Sequence, residues 1–95
     1  MSLIYYTVIA YDIADDKRRK RVSDILSRYG DRVQLSVFEC RLTKKKYLRL
    51  KRKLERLIKT SEDKIYFYLL PEDVYKKTER LGGVIPIIDR EIIIV

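Results

Sequence analysis

Residues 3–11 (LIYYTVIAY) and 64–70 (KIYFYLL) restrict the fold most, because each carries β-branched, aromatic or other apolar side chains at both odd and even positions. Successive side chains of an extended chain point to opposite faces, so both runs read as strands covered on two sides. Asp12 ends the first and Pro71 the second. Between them lie two patterns of helical period. Val22, Ile25, Leu26 and Tyr29 recur at i, i+3, i+4 and i+7 behind a cap at Asp15 or Asp16, and Gly30 is expected to close that helix as a left-handed stop. Tyr47, Leu50, Leu54, Leu57 and Ile58 make one apolar stripe behind an N-cap at Thr43. Residues 32–42 (RVQLSVFECRL) are strand-like and long enough for a hairpin turning near Ser36. A short helix over 72–81 follows the last strong strand, then Gly82-Gly83 and an Ile-rich tail with one or two extended segments interrupted at Pro86.

The order β-α-β-β-α-β is the ferredoxin-like split βαβ arrangement of the α+β class, in which two right-handed crossovers lay both helices on one sheet face. With no repeat and no linker, residues 1–95 are expected to form a single domain. The fourth strand is then an edge, apolar on both faces, and such an edge invites aggregation unless something covers it. The expectation is a homodimer packed sheet to sheet. In it the tail, about residues 84–95 with Ile92–Val95 as its strand, adds to one of the sheets; the alternative is that it folds back on its own chain.

The residue inventory narrows the chemistry. There is no histidine and one cysteine, Cys40, which excludes histidine bases, histidine-ligated metals and a disulfide framework. The longest apolar run, Leu3 to Tyr11, is too short to span a bilayer and lacks a basic leader, so no membrane association and a cytoplasmic location are expected. Asparagine is absent and glutamine occurs once, a bias of heat-stable proteins. The chain carries 22 Lys+Arg against 14 Asp+Glu, a formal charge of +8. Between Arg41 and Lys59 there are ten bases and one acid, so this stretch holds the whole imbalance, as a surface facing a polyanion would.

Asp12 stands at the carboxyl end of the first strand, directly before a helix, where open α/β arrangements bind ligands. Without histidine, a metal held there must take oxygen ligands, which suits Mg²⁺ or Mn²⁺. One carboxylate makes a poor site; a two-fold axis near the strand ends would bring two copies together. An ion so held would polarise a scissile phosphate and acidify its water. Asp12 as a simple turn cap remains open. Lys17-Arg18-Arg19-Lys20-Arg21 crowds the positive end of the first helix, against the helix dipole. Arg18 and Arg19 project toward the Asp12 end and suit bidentate phosphate contact; pairing with Asp15, Asp16 and Asp24 is the alternative. The second helix offers Lys45, Lys46, Arg49 and Lys53 as contacts to a phosphate backbone without base specificity. Ser36 can hydrogen-bond a phosphate, whereas Phe38 and Cys40 read as packing.

Tyr11-Asp12-Ile13, then Asp16-Lys17-Arg18-Arg19-Lys20-Arg21-Val22, then Gly30-Asp31-Arg32-Val33-Gln34-Leu35-Ser36-Val37-Phe38-Glu39 resemble, in order and spacing, the small CRISPR-associated endonuclease family. This is the second core Cas protein, the smaller partner of the CRISPR integrase. The resemblance implies a ferredoxin-like homodimer whose Asp12 carboxylates, one from each protomer, hold a divalent metal. It also implies that Arg19, Arg21, Arg32, Ser36 and Phe38 occupy positions linked to activity or substrate contact. Two roles are known in the family: metal-dependent cleavage of single-stranded RNA or double-stranded DNA, and a bridge between integrase subunits in spacer acquisition that binds incoming DNA. Three readings follow: a Mg²⁺-dependent phosphodiesterase, a non-catalytic DNA-binding adaptor, or a toxin-type ribonuclease or RNA-binding module of the same fold. An RNA-recognition motif is disfavoured because Lys64 to Leu70 lacks its glycine-aromatic signature.

Overall fold

The computed structural model describes residues 3–83. Strand β1 runs Ile4–Asp12 and helix α1 runs Asp16–Leu26. A hairpin follows, β2 over Gly30–Gln34 and β3 over Val37–Thr43, turning at Leu35 and Ser36. Helix α2 spans Lys44–Leu57, β4 spans Lys64–Leu70, and a single turn of helix, α3, covers Glu72–Lys76. The sheet order is β2-β3-β1-β4 with every neighbour antiparallel, the α+β ferredoxin-like arrangement.

Strand alternation decides what each face meets. Tyr5, Ile9 and Tyr11 of β1 face the long helices, with Tyr5 against Tyr47 at 5.5 Å between ring centroids. Ile9 lies opposite Phe38 of β3 and Phe67 of β4. Ile9, Tyr11 and Phe38 form one buried core with Val22, Leu26, Leu42, Leu50 and Leu54, and Phe67 packs against it. Truncating Leu50, which is fully buried, would cost about 2–5 kcal/mol.

The opposite face carries the even residues of β1. Tyr6 stacks on Tyr75 of α3 at 4.6 Å, and Val8 and Ala10 are half-buried. Tyr66 and Tyr68 on edge strand β4 remain 55% and 50% exposed. This face is the one expected to lack a long helix, and among the described residues α3 alone lies over it.

Two local expectations are corrected. Gly30 is not a left-handed stop: α1 ends earlier, with Ser27 as a right-handed C-cap, and Gly30 opens β2. Glycine is required there because a Cβ would lie 2.3 Å from the Glu39 carbonyl oxygen and 2.5 Å from Cys40 Sγ. The helix expected over 72–81 stops at Lys76. Beyond it Leu81 is fully exposed, so no burial would support further turns. The expected tail strand lies outside the described residues.

Candidate functional site

Asp12 closes β1 and is exposed, its backbone paired in register with Lys64 at the start of β4. It shares a shallow recess with Ala10, Tyr11, Lys64 and Tyr66. As an even residue it belongs to the sheet face away from the long helices. Among the described residues no three carboxylates or thiols converge as a metal would need. Among the described residues Asp12 is the one carboxylate lining that recess, and a hard cation would gain a second from another copy of the chain.

The loop after Asp12 is held from two sides. Asp15 caps α1, its Oδ2 accepting from the Arg18 backbone N–H at 2.9 Å. Arg19 donates from Nε and Nη2 to the Ile13 carbonyl at 3.1 and 2.9 Å, and from Nη1 to Asp16 at 2.6 Å. Arg18 reaches across to Asp63, 45 residues away: Nε to Oδ2 at 2.8 Å and Nη2 to Oδ1 at 3.1 Å. Asp63 also accepts from the backbone N–H of Lys59 at 2.8 Å and of Ala14 at 3.1 Å. The Arg18 fork holds the Asp63 carboxyl well below the ordinary carboxylate range, aided by those two amides and opposed by burial. Sequence reasoning misses Asp63, because it sits in a short polar loop and its partners lie far away along the chain. The signal that could have found it is the surplus of cations opening α1 over the local acids.

Of the sequence-selected contacts, Arg18 has its Nε and Nη2 committed to Asp63, so its fork joins two parts of the fold. Arg19 is likewise turned onto the loop that follows Asp12. Lys20 pairs with Asp24 at 3.1 Å, the alternative given above for that stretch. Arg32 is exposed, donates to Ser23 Oγ and places its guanidinium carbon 5.4 Å from the Phe38 ring centroid. The buried Phe38 thereby supports an exposed cation. Ser36 lies in the hairpin turn, and its carbonyl accepts from Tyr11 N–H at 3.1 Å, which ties the turn to the end of β1. Cys40 is buried, and desolvation first, then Asp31 and Glu39, pushes its thiol up to about 12, so it is inert packing.

Along α2, Lys45, Lys46 and Arg49 are exposed and make no ion pair among the described residues. Lys53 donates to the Tyr29 hydroxyl at 3.0 Å. With Arg21, Arg28 and Arg56 it rims a groove floored by Ile25 and Leu57. Arg41, counted with this basic stretch, instead lies on the far sheet face, 5.8 Å from the Tyr6 ring centroid. Strand alternation separates it from α2, because Phe38, Cys40 and Leu42 take the core side.

A four-stranded antiparallel sheet with two long helices on one face and a strand-end aspartate on the other defines a small ferredoxin-like protein with a basic helical surface. The chain belongs to the family described as CRISPR associated protein Cas2, whose model matches residues 5–78. It is 47% identical over 77 residues, 81% of this chain and 82% of the relative, to a Thermus thermophilus protein named CRISPR-associated endoribonuclease Cas2. A Synechocystis relative with a similar name is 49% identical over 67 residues, covering 70% of this chain and 73% of its own. The crystal structure of Streptococcus pyogenes Cas2 superposes with a TM-score of 0.72 at 33% identity, covering 84% of this chain and all of that one. A chain in a partial Cas6-RT-Cas1--Cas2 complex matches with a TM-score of 0.68 at 37% identity, covering 78% and 87%. Among the described residues no helix is long and apolar enough to cross a membrane.

Proposed function

We propose that this chain is a Mg²⁺- or Mn²⁺-dependent phosphodiesterase of the CRISPR system, acting on RNA or DNA in spacer acquisition as a homodimer with Asp12 of each protomer at the ion. The observation that carries this reading is the position of Asp12. It lies exposed at a strand end, on the same sheet face as the half-exposed Tyr66 and Tyr68, so a second copy packed on that face would take its carboxylate into the interface. The oxygen donor suits a hard divalent cation, which would polarise the scissile phosphate and acidify water in a chain with no histidine base. The phosphate backbone would run along Arg21, Arg32, Ser36 and the outer face of α2 through Lys45, Lys46, Arg49 and Lys53, contacts that do not read bases. The endoribonuclease names of the relatives support the reaction class.

A second reading, a non-catalytic DNA-binding adaptor for the integrase, is favoured by the absence of a converging metal-ligand cluster among the described residues and by the matching chain in a Cas1--Cas2 complex. The two part on Asp12→Asn, assayed for cleavage of single-stranded RNA and duplex DNA with and without Mg²⁺, and for duplex binding. The nuclease reading expects cleavage to fall about 100-fold or more with binding retained. Equal cleavage by both proteins removes the metal assignment. Binding by both with cleavage by neither supports the adaptor.

A further inference from the structure

Three features outside the residues selected from the sequence stand out: the groove between α1 and α2, the exposed tyrosines of β4, and the buried carboxylate of Asp63. The last is tied by geometry to the candidate site. We infer that Asp63, clasped by Arg18, is a positioning residue for Asp12, fixing the two chain segments that meet at the strand end where Asp12 sits; this rests on Asp12 being the site carboxylate.

One segment leaves β1 directly after Asp12, and its Ala14 N–H donates to Asp63 Oδ1 at 3.1 Å. The other enters β4 at Lys64, the register partner of Asp12, immediately after Asp63 itself. A single carboxylate therefore fastens the residues following Asp12 to the residue preceding its cross-strand neighbour. Asp63 is 0% exposed at its side chain, and both oxygens are occupied by Arg18, Ala14 and Lys59. It has no open lone pair facing solvent and is not a second metal ligand. Arg19 completes the clasp from the opposite side, since it takes the Ile13 carbonyl while Asp63 takes the next N–H. The peptide between Ile13 and Ala14 is thus held at both its polar ends. Groups that orient a reacting carboxylate through such contacts shape activity without touching substrate.

The test compares wild type, Asp63→Asn, Arg18→Lys and the core variant Leu50→Ala, all as the full chain at a temperature where each is folded. Amide hydrogen exchange at Ala14 and Lys59 reads the clasp. Broadening of the Tyr11 and Asp12 amide signals by added Mn²⁺ reads the carboxylate, and kcat and KM are measured beside them. Asp63→Asn is expected to speed exchange at Ala14 and Lys59. It should also raise the Mn²⁺ needed for broadening about 10- to 100-fold and lower kcat by a similar factor at nearly constant KM. Arg18→Lys, which keeps one donor, falls between it and wild type, while Leu50→Ala keeps wild-type Mn²⁺ response and kcat. Unchanged exchange in folded Asp63→Asn overturns the inference, and so does an equal loss in Leu50→Ala. If neither clasp variant folds under any condition, the pair is purely structural and the inference is again overturned. Failure of the underlying reading looks different: Asp12→Asn would then broaden and cleave like wild type, whatever the exchange at Ala14.

Discussion

At the start of α1, Arg18 and Arg19 give their guanidinium groups to Asp63, Asp16 and the Ile13 carbonyl, whereas along α2 Lys45, Lys46 and Arg49 reach solvent with no carboxylate partner among the described residues. The two helices pack against one another and each carries a dense run of bases, yet the same residue types serve different ends. The difference lies in what each cation can reach. The α1 arginines sit over loops rich in carbonyls and acids, and their planar forks are satisfied in fixed geometry. The α2 lysines project from a helix whose apolar stripe faces the core, so their charge remains available to a polyanion.

Stability separates the two regions most sharply. Asp63→Ala, which strands a half-buried guanidinium and two backbone amides, should lower Tm more than any single alanine on the outer face of α2. Thermal melts of Asp63→Ala, Lys45→Ala and Arg49→Ala decide it, and equal losses would erase the distinction. Acid is the next probe. The Asp63 carboxyl titrates below its unfolded range, so its stabilising contribution is complete above about pH 4 and is lost as pH falls toward its folded value. Wild type should show a steeper loss of stability below about pH 4 than Asp63→Asn, as followed by denaturant unfolding across pH. Neutralising Lys45, Lys46, Arg49 and Lys53 together should leave Tm nearly unchanged. It should flatten the salt dependence of duplex binding by up to about 0.9 log units per lost phosphate contact. An unchanged slope would make that face merely solvated. The smallest effect belongs to Tyr29→Phe, which removes the acceptor of Lys53 between the helices. Stability should stay within about 0.5 kcal/mol of wild type in denaturant titrations, with duplex binding unchanged or slightly tighter.

Much of the fold is legible in the sequence because its strands are apolar on both faces and its helices carry clean stripes. The expected run 64–70 coincides with β4, and the stripe from Tyr47 to Ile58 lies on α2 and its C-cap. The hairpin turn at Leu35 and Ser36 forms without an Asn-Gly pair, because pairing of β3 with β1 specifies the register. Gly30 misleads because a glycine after a helical stripe suggests a stop, while its actual reason, the close approach of Glu39 and Cys40, comes from the partner strand. At the candidate site, the strand-end position of Asp12 is legible in the sequence. The fate of Arg18 is not, since local spacing cannot see an acid 45 residues away.

That separation also orders events in time. A chain made from its N-terminus has β1, Asp12 and α1 in hand long before residue 63 emerges. The loop after Asp12 therefore cannot take its held form until β4 is available to dock. Fragments ending before Asp63 would keep the motif most visible in the sequence and lack the contact that holds it, so the candidate site is a late product of folding although Asp12 is among the first residues synthesised.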